Sequence, residues 1–373
     1  MAKTVTHFLG LLFLCLISIQ AVGQEDDFNA TIEEDKGKEQ GKGRSGSFGK
    51  RLSSISNFVS INGYVTNEFH VPQGGVSTFD QHYFNVFVTG ELNERILAEV
   101  QLEYEHGGES IEVRYAQLDF KLLPNSNALI LRTGKFLTPA GEFNEYLYPE
   151  YLNKIVNRAY VNREIVPSAW GEVGIQLRGM FNTEDSSAKV KPYYSLYVVN
   201  GLEGSSGAGI RGLRGNSRDQ QNSNKAFGGN LGIEVGEHTN LSANYYTGKY
   251  SEDGNLNLSI LGFSGHYDNG NVSFYGAYHI ANQELDGGGE LKKNGFYLQG
   301  GYRFENKFEP ILRYDQIDLD DQANLEGNRQ RISLGLNYHL FQNAVIKCHY
   351  DIVSDDGIDT DNNMLSFQFA IGF

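Results

Sequence analysis

The residues whose types and spacing could do chemistry are charged and crowd into one stretch. Between Lys135 and Gly174 the chain carries Lys154, Arg158 and Arg163, together with Glu142, Glu145, Glu150 and Glu164. Fixed charges held in a narrow space act on ions. They set the sign that passes more easily, or they impose a field across the opening when the two signs face each other. The stretch is also rich in Tyr and Asn and holds Pro139, Pro149 and Pro167 of the chain's seven prolines. A connection this long in a compact protein is functional or disordered, and its aromatic content argues against disorder.

Catalysis is poorly served by the remaining residues. His82, His106, His266, His279, His339 and His349 fall on different segments, and no nucleophile–base pair can be placed among them. Gly262–Gly265 puts a serine between glycines but lacks a strand-to-helix elbow. The chain therefore reads as a non-enzyme. Asp318–Asp321 and Asp355–Asp359 could hold a divalent cation, yet exposed acidic loops commonly carry such runs without one. No metal site and no cofactor is expected.

The elements that position these residues follow from composition and periodicity. The chain has 373 residues, 12% aromatics, 44 Gly, 7 Pro and a net charge of −15. Many Gly and aromatics with few helix-forming runs suggest an all-β protein. An acidic chain is a poor nucleic-acid binder. Residues 1–23 read as a signal peptide: Lys3, an apolar centre from Phe8 to Ile19, and the small residues Ala21 to Gly23. Its removal leaves Cys348 as the single cysteine, so no intrachain disulfide can form. Residues 24–57 are polar and mixed in charge, and read as a flexible periplasmic tail.

From Phe58 to Phe373 the pattern alternates with a period of two. Val173, Ile175, Leu177, Gly179 and Phe181 share one face, as do Leu365, Phe367, Phe369, Ile371 and Phe373. Sixteen candidate strands can be placed by this alternation. Connections after even strands are short, whereas those after odd strands are mostly long and rich in Gly, Asp and Asn. This asymmetry belongs to a transmembrane antiparallel up-and-down β-barrel of about 16 strands, with turns in the periplasm and loops outside. A secreted sandwich or solenoid is the alternative, but no strict internal repeat is present.

Sixteen strands enclose a water-filled lumen. By parity the lumen receives Arg132, Arg178, Lys189, Lys191, Arg303, Arg313 and Arg331 among the bases, with Glu99, Glu103, Asp315 and Asp351 among the acids. A Lys or Arg turned to lipid at mid-membrane would cost about 2–4 kcal/mol. The segment 137–170 joins the fifth and sixth strands, which makes it the third external loop. Pro149, Glu150, Tyr151, Leu152, Ile155 and Val156 are expected to form a short helix within it. The segment 201–226, with Arg211, Arg214, Arg218 and Lys225, reads as a flexible external loop.

Arg132-Thr-Gly134-Lys135-Phe136-Leu-Thr-Pro139, the aromatic and Asn-rich run to Arg158, Arg163-Glu164, and Gly171-Glu-Val-Gly174-Ile-Gln-Leu177 resemble the phosphate-selective porin O and P family. The likeness runs loosely over residues 58–373. It implies a porin in the outer membrane of a Gram-negative bacterium, with the third loop folded inward as a constriction. It implies a homotrimer among outer-membrane lipid and lipopolysaccharide, passing small solutes or anions along Lys and Arg. Glu142, Glu145, Glu150 and Glu164 depart from a purely anion-selective pattern. A barrel without an open pore, acting as an adhesin or structural protein, shares every barrel feature.

Overall fold

The computed structural model describes residues 59–141, 144, 153–181, 190–215, 223–320, 328–355 and 362–373. The expected signal peptide and tail, together with Glu142, Glu145, Glu150 and Lys189, lie outside them.

The described residues form sixteen strands: β1 (Val59–Pro72), β2 (Thr78–Asn93), β3 (Ile96–Glu105), β4 (Ser110–Lys121), β5 (Ile130–Leu137), β6 (Gly171–Met180), β7 (Val190–Val199), β8 (Ala226–Val235), β9 (Thr239–Lys249), β10 (Asn257–Asp268), β11 (Val272–Glu284), β12 (Glu290–Tyr302), β13 (Phe308–Leu319), β14 (Arg329–Phe341), β15 (Ala344–Asp355) and β16 (Met364–Gly372). Each pairs with its sequence neighbours, and β1 pairs with β16 to close the barrel. The whole sheet is antiparallel and up-and-down, as the alternating loop lengths require. Closure leaves no sheet edge, so every strand satisfies its backbone polar groups within the barrel, which lipid demands.

The alternation sorts side chains as expected. Ile175, Leu177, Leu241, Phe263, Leu334 and Leu336 point out and stay exposed, forming the apolar band that faces lipid. At the short-turn end Phe304 stacks on Phe308, which meets Tyr338 with centroids 5.1 Å apart, part of an aromatic girdle.

Two external connections are shorter than their composition suggests. β2 begins at Thr78 rather than near residue 82, and β12 at Glu290 rather than near 295. Polar residues such as Asp80 and Lys292 still pair with Glu68 and Asn282. The ladder is made of backbone hydrogen bonds, so it runs on past the apolar band.

The resembling segment of β5 has a conformational reason for its glycine. Gly134 sits at φ +112°, and a Cβ there would lie 2.3 Å from the Ala116 carbonyl oxygen. Only Gly accommodates both conditions.

Candidate pore constriction

The third loop leaves β5, enters the barrel and crosses to the opposite wall. Its root is held by Asn144, whose Nδ2 donates to the carbonyls of Thr138 and Trp170 at 2.8 and 3.0 Å. Gly141 N–H donates to Asn244 Oδ1 on β9. Farther along, the loop reaches β13 to β15. Val156 N–H donates to His349 Nδ1 at 2.7 Å, and Asn157 Nδ2 to Asp351 Oδ2 at 2.6 Å. Tyr160 N–H donates to Asp315 Oδ1 at 2.9 Å. Asn337 Nδ2 and Lys347 Nζ donate back to the carbonyls of Lys154 and Asn153. Wall and loop groups thus satisfy one another inside the barrel, as buried polar groups must.

Apolar packing reinforces these bonds. Val161, Ile165, Val166 and Trp170 of the loop are buried with Tyr197, Val199, Tyr246, Leu258, Ile260 and Ile317. The last six belong to the inner face of β7, β9, β10 and β13, at their loop ends. The expectation that lumen-facing residues are polar therefore fails on this part of the wall. The inner face turns apolar where a loop covers it, because covered polar groups would lose their water.

The second long loop joins this core. Ile210 and Leu213 are buried in it, Leu202 N–H donates to the Tyr246 hydroxyl, and Gln283 Nε2 donates to the Ala208 carbonyl. Arg214 Nη1 donates to the Ser168 carbonyl of the third loop at 2.5 Å. The described part of 201–226 is therefore a packed inner layer and not a flexible external loop. Its apolar residues are spaced by glycines, which hides their periodicity.

The expected helix over 149–156 lies only partly within the described residues. Residues 154–157 form bends, while 149–152 lie outside the described residues. Farther along, a single turn, α1 (Val161–Glu164), buries Val161 and Asn162. Nor do the loop bases all point into open lumen. Lys154 Nζ lies 2.6 Å from Glu309 Oε1 and 3.0 Å from Asp268 Oδ2, so it anchors the loop to the wall. Arg158 donates to the Tyr83 hydroxyl across the barrel on β2. Arg163, beside Glu164 at 3.4 Å, keeps 58% of its side chain exposed.

The wall bases are largely compensated. Arg132 makes two bonds to Asp119, at 2.7 and 2.8 Å. Arg313 and Arg331 flank Asp315 at 3.1 and 3.0 Å, and Arg331 also lies over the Tyr160 ring. Arg303 reaches Glu309 at 3.4 Å. Arg178 and Lys191 lie on the inner side of β6 and β7 and are partly exposed.

A charge contrast remains across the passage. Arg158, Arg163, Arg211 and Arg214 belong to the two loops. Burial, and next the neighbouring Arg211, hold the Arg214 guanidinium down to about 10, which leaves it charged at neutral pH. The charges of Arg114 and Glu112 on β4 also act on it. There Arg114 is enclosed by Glu103, Glu105 and Glu112, three carboxylates around one guanidinium. Beneath the loop, a cavity of about 840 Å³ opens towards the short-turn end, lined by Lys154, Arg303, Glu309, His339 and Lys347 among others.

Residues 150–357 match the Gram-negative porin family. The chain belongs to that family. Its barrel therefore sits in the outer membrane. An uncharacterized protein of Aquifex aeolicus is 27% identical over 296 residues, covering 69% of this chain and 64% of its own length. This porin thus spans under two thirds of that relative. Among solved structures, the anion-selective porin from Comamonas acidovorans is 14% identical, TM-score 0.59, with 84% of this chain and 99% of that chain covered. Salmonella typhi OmpF in complex with daunomycin is 13% identical, TM-score 0.60, covering 84% and 97%. OmpT of Vibrio cholerae in its trimer form is 11% identical, TM-score 0.59, covering 84% and 99%. At these identities the likeness is one of fold.

Sequence reasoning missed one constellation in this porin. His82 and His106, read as scattered, stack with centroids 5.3 Å apart, beside Glu68 and Asp80. They lie on separate strands or turns, so no spacing along the chain could reveal them.

Proposed function

We propose that this porin is a diffusion channel for small solutes, with its narrowest point between the two inner loops and the β3–β4 wall. The single observation that supports this most is the third loop crossing the barrel to hydrogen-bond β13 to β15. A loop anchored on both sides narrows the lumen to a fixed opening. Loop arginines on one side and the Glu103–Glu105–Glu112 group on the other set up a transverse field. Anions follow the loop side and cations the wall side, with a modest anion preference from exposed Arg163 and Arg211. Phosphate-like ions fit that chemistry, since Arg binds oxyanions well. The chemistry is passive, and we assign no catalytic residue. A homotrimer embedded in lipid and lipopolysaccharide is the assembly this reading implies.

Planar bilayers test it. Reconstituted protein should give stepwise conductance, and a salt gradient should give a reversal potential on the anion side. A folded but silent barrel would overturn the channel reading. It would favour the second one, a closed barrel acting as an adhesin or structural protein. The observation behind that second reading is the apolar core that two loops build inside the lumen.

A further inference from the structure

The long-loop end of β1 and β2 gathers side chains whose chemistry suits a divalent transition metal. Glu68, Asp80 and His82 each offer a ligand atom, and these atoms lie within 4.8 Å of one another. His82 Nδ1 is 3.0 Å from Glu68 Oε1. The surrounding groups hold the carboxylates in place. His70 Nε2 is 2.8 Å from Glu68 Oε2, and its Nδ1 is 3.0 Å from Ser366 Oγ. Gln368 Nε2 donates to Glu68 Oε1 at 2.6 Å. His106 Nδ1 is 2.9 Å from Asp80 Oδ2.

The backbone is shaped to bring these groups together. Thr66 pairs with Tyr83, but Glu68 pairs with Asp80, so the register slips between them. The extra residue on β2 is a bulge, a device that re-aims side chains. It leaves Asp80 paired with Glu68 and His82 Nδ1 at 3.0 Å from Glu68 Oε1. His106 arrives from the turn after β3, where it adopts φ +53°. Three separate segments thus converge on two carboxylates.

We propose that Glu68, Asp80 and His82 bind a zinc-like divalent cation, with His106 as a fourth ligand or as the support of Asp80. Zinc takes imidazole nitrogen and carboxylate oxygen at about 2.0–2.2 Å in tetrahedral geometry. Neighbouring ligands then stand about 3.3 Å apart, a spacing that follows from those bond lengths. The His82–Glu68 and His106–Asp80 contacts are already close to that edge, so a metal replaces shared protons with little movement. Two carboxylates also balance a 2+ charge. Magnesium and calcium need six or more oxygen ligands, which this group does not offer. The site staples β1, β2 and the turn before β4. Its His82 ring stacks on Tyr83, the residue that accepts a hydrogen bond from Arg158. The proposal does not rest on the channel reading, because binding is measured without conductance.

The test is calorimetric titration of Zn²⁺ into the full chain folded in detergent and free of lipopolysaccharide. Folding is checked by heat-modifiable migration on a gel. Wild type should take up one Zn²⁺ per chain, unaffected by excess Mg²⁺. His82→Gln and Asp80→Asn, each folded, should weaken binding by about 10–100-fold or more. No uptake by wild type, uptake abolished by Mg²⁺, or uptake unchanged in both variants would overturn the site.

Discussion

The backbone N–H of Tyr160 donates to the carboxylate of Asp315 at 2.9 Å, joining a loop that starts at β5 to the wall strand β13. Asp315 also compensates two guanidiniums, Arg313 and Arg331. One buried carboxylate therefore holds both the loop and the wall charges. Asp315→Asn should release the loop and leave Arg313 and Arg331 undercompensated. Breaking a buried pair from one side costs about 3–5 kcal/mol. The expected outcome is noisy, fluctuating conductance from a barrel that still closes, checked by single-channel recording beside a gel assay of folding. Quiet, wild-type steps would show that the loop is held elsewhere.

Trp170 is fully buried, packs edge-on against Tyr246 with centroids 4.9 Å apart, and donates Nε1–H to Glu172 at 2.7 Å. Trp170→Ala should loosen the two-loop core by about 3–5 kcal/mol, the usual cost of removing a buried aromatic. Limited proteolysis of intact, folded barrels is the measurement. Cleavage within 153–170 or 201–215 should appear in the variant and not in wild type.

Charge removal should have different consequences at different bases. Arg163→Gln with Arg211→Gln changes exposed groups and should shift the reversal potential towards cations with unit conductance nearly kept. Glu112→Gln, whose side chain is 49% exposed on the facing wall, should shift it towards anions. Lys154→Met removes a partner of Glu309 and Asp268, so it should disturb gating more than selectivity. Equal shifts from all three would contradict the separation of anchoring and field-setting charges.

Gly134→Ala should destabilise the barrel itself. Left-handed backbone costs a residue with a Cβ about 1–2 kcal/mol, and the 2.3 Å approach to Ala116 O adds a steric clash. The gel-shift midpoint on heating should fall, whereas Gly209→Ala, with open space around it, should leave it unchanged.

The barrel was legible in the chain because its signal is local. Ile175 and Leu177 alternate with Gln176 and Arg178, and lipid outside and water or protein inside enforce that alternation along every strand. The third loop was legible as an interruption, and its strand count placed it correctly. Its detail was not. The side-chain partners of Lys154 are Glu309 and Asp268, more than a hundred residues away. Whether a base guides ions or anchors a loop depends on what stands opposite it.

The sequence by itself determined the strand number, the lipid-facing side and the existence of a long connection after the fifth strand, since each follows from periodicity and length; its inward course was only implied by the family resemblance. The tertiary structure alone decided that Ile210 and Leu213 complete the third loop's core, that Asp315 compensates Arg313 and Arg331, and that Glu68, Asp80, His82 and His106 share one corner. Closure of the sheet brings β1 against β16 and places β5 across from β13. Those juxtapositions are properties of the closed ring, and no segment of the chain carries them.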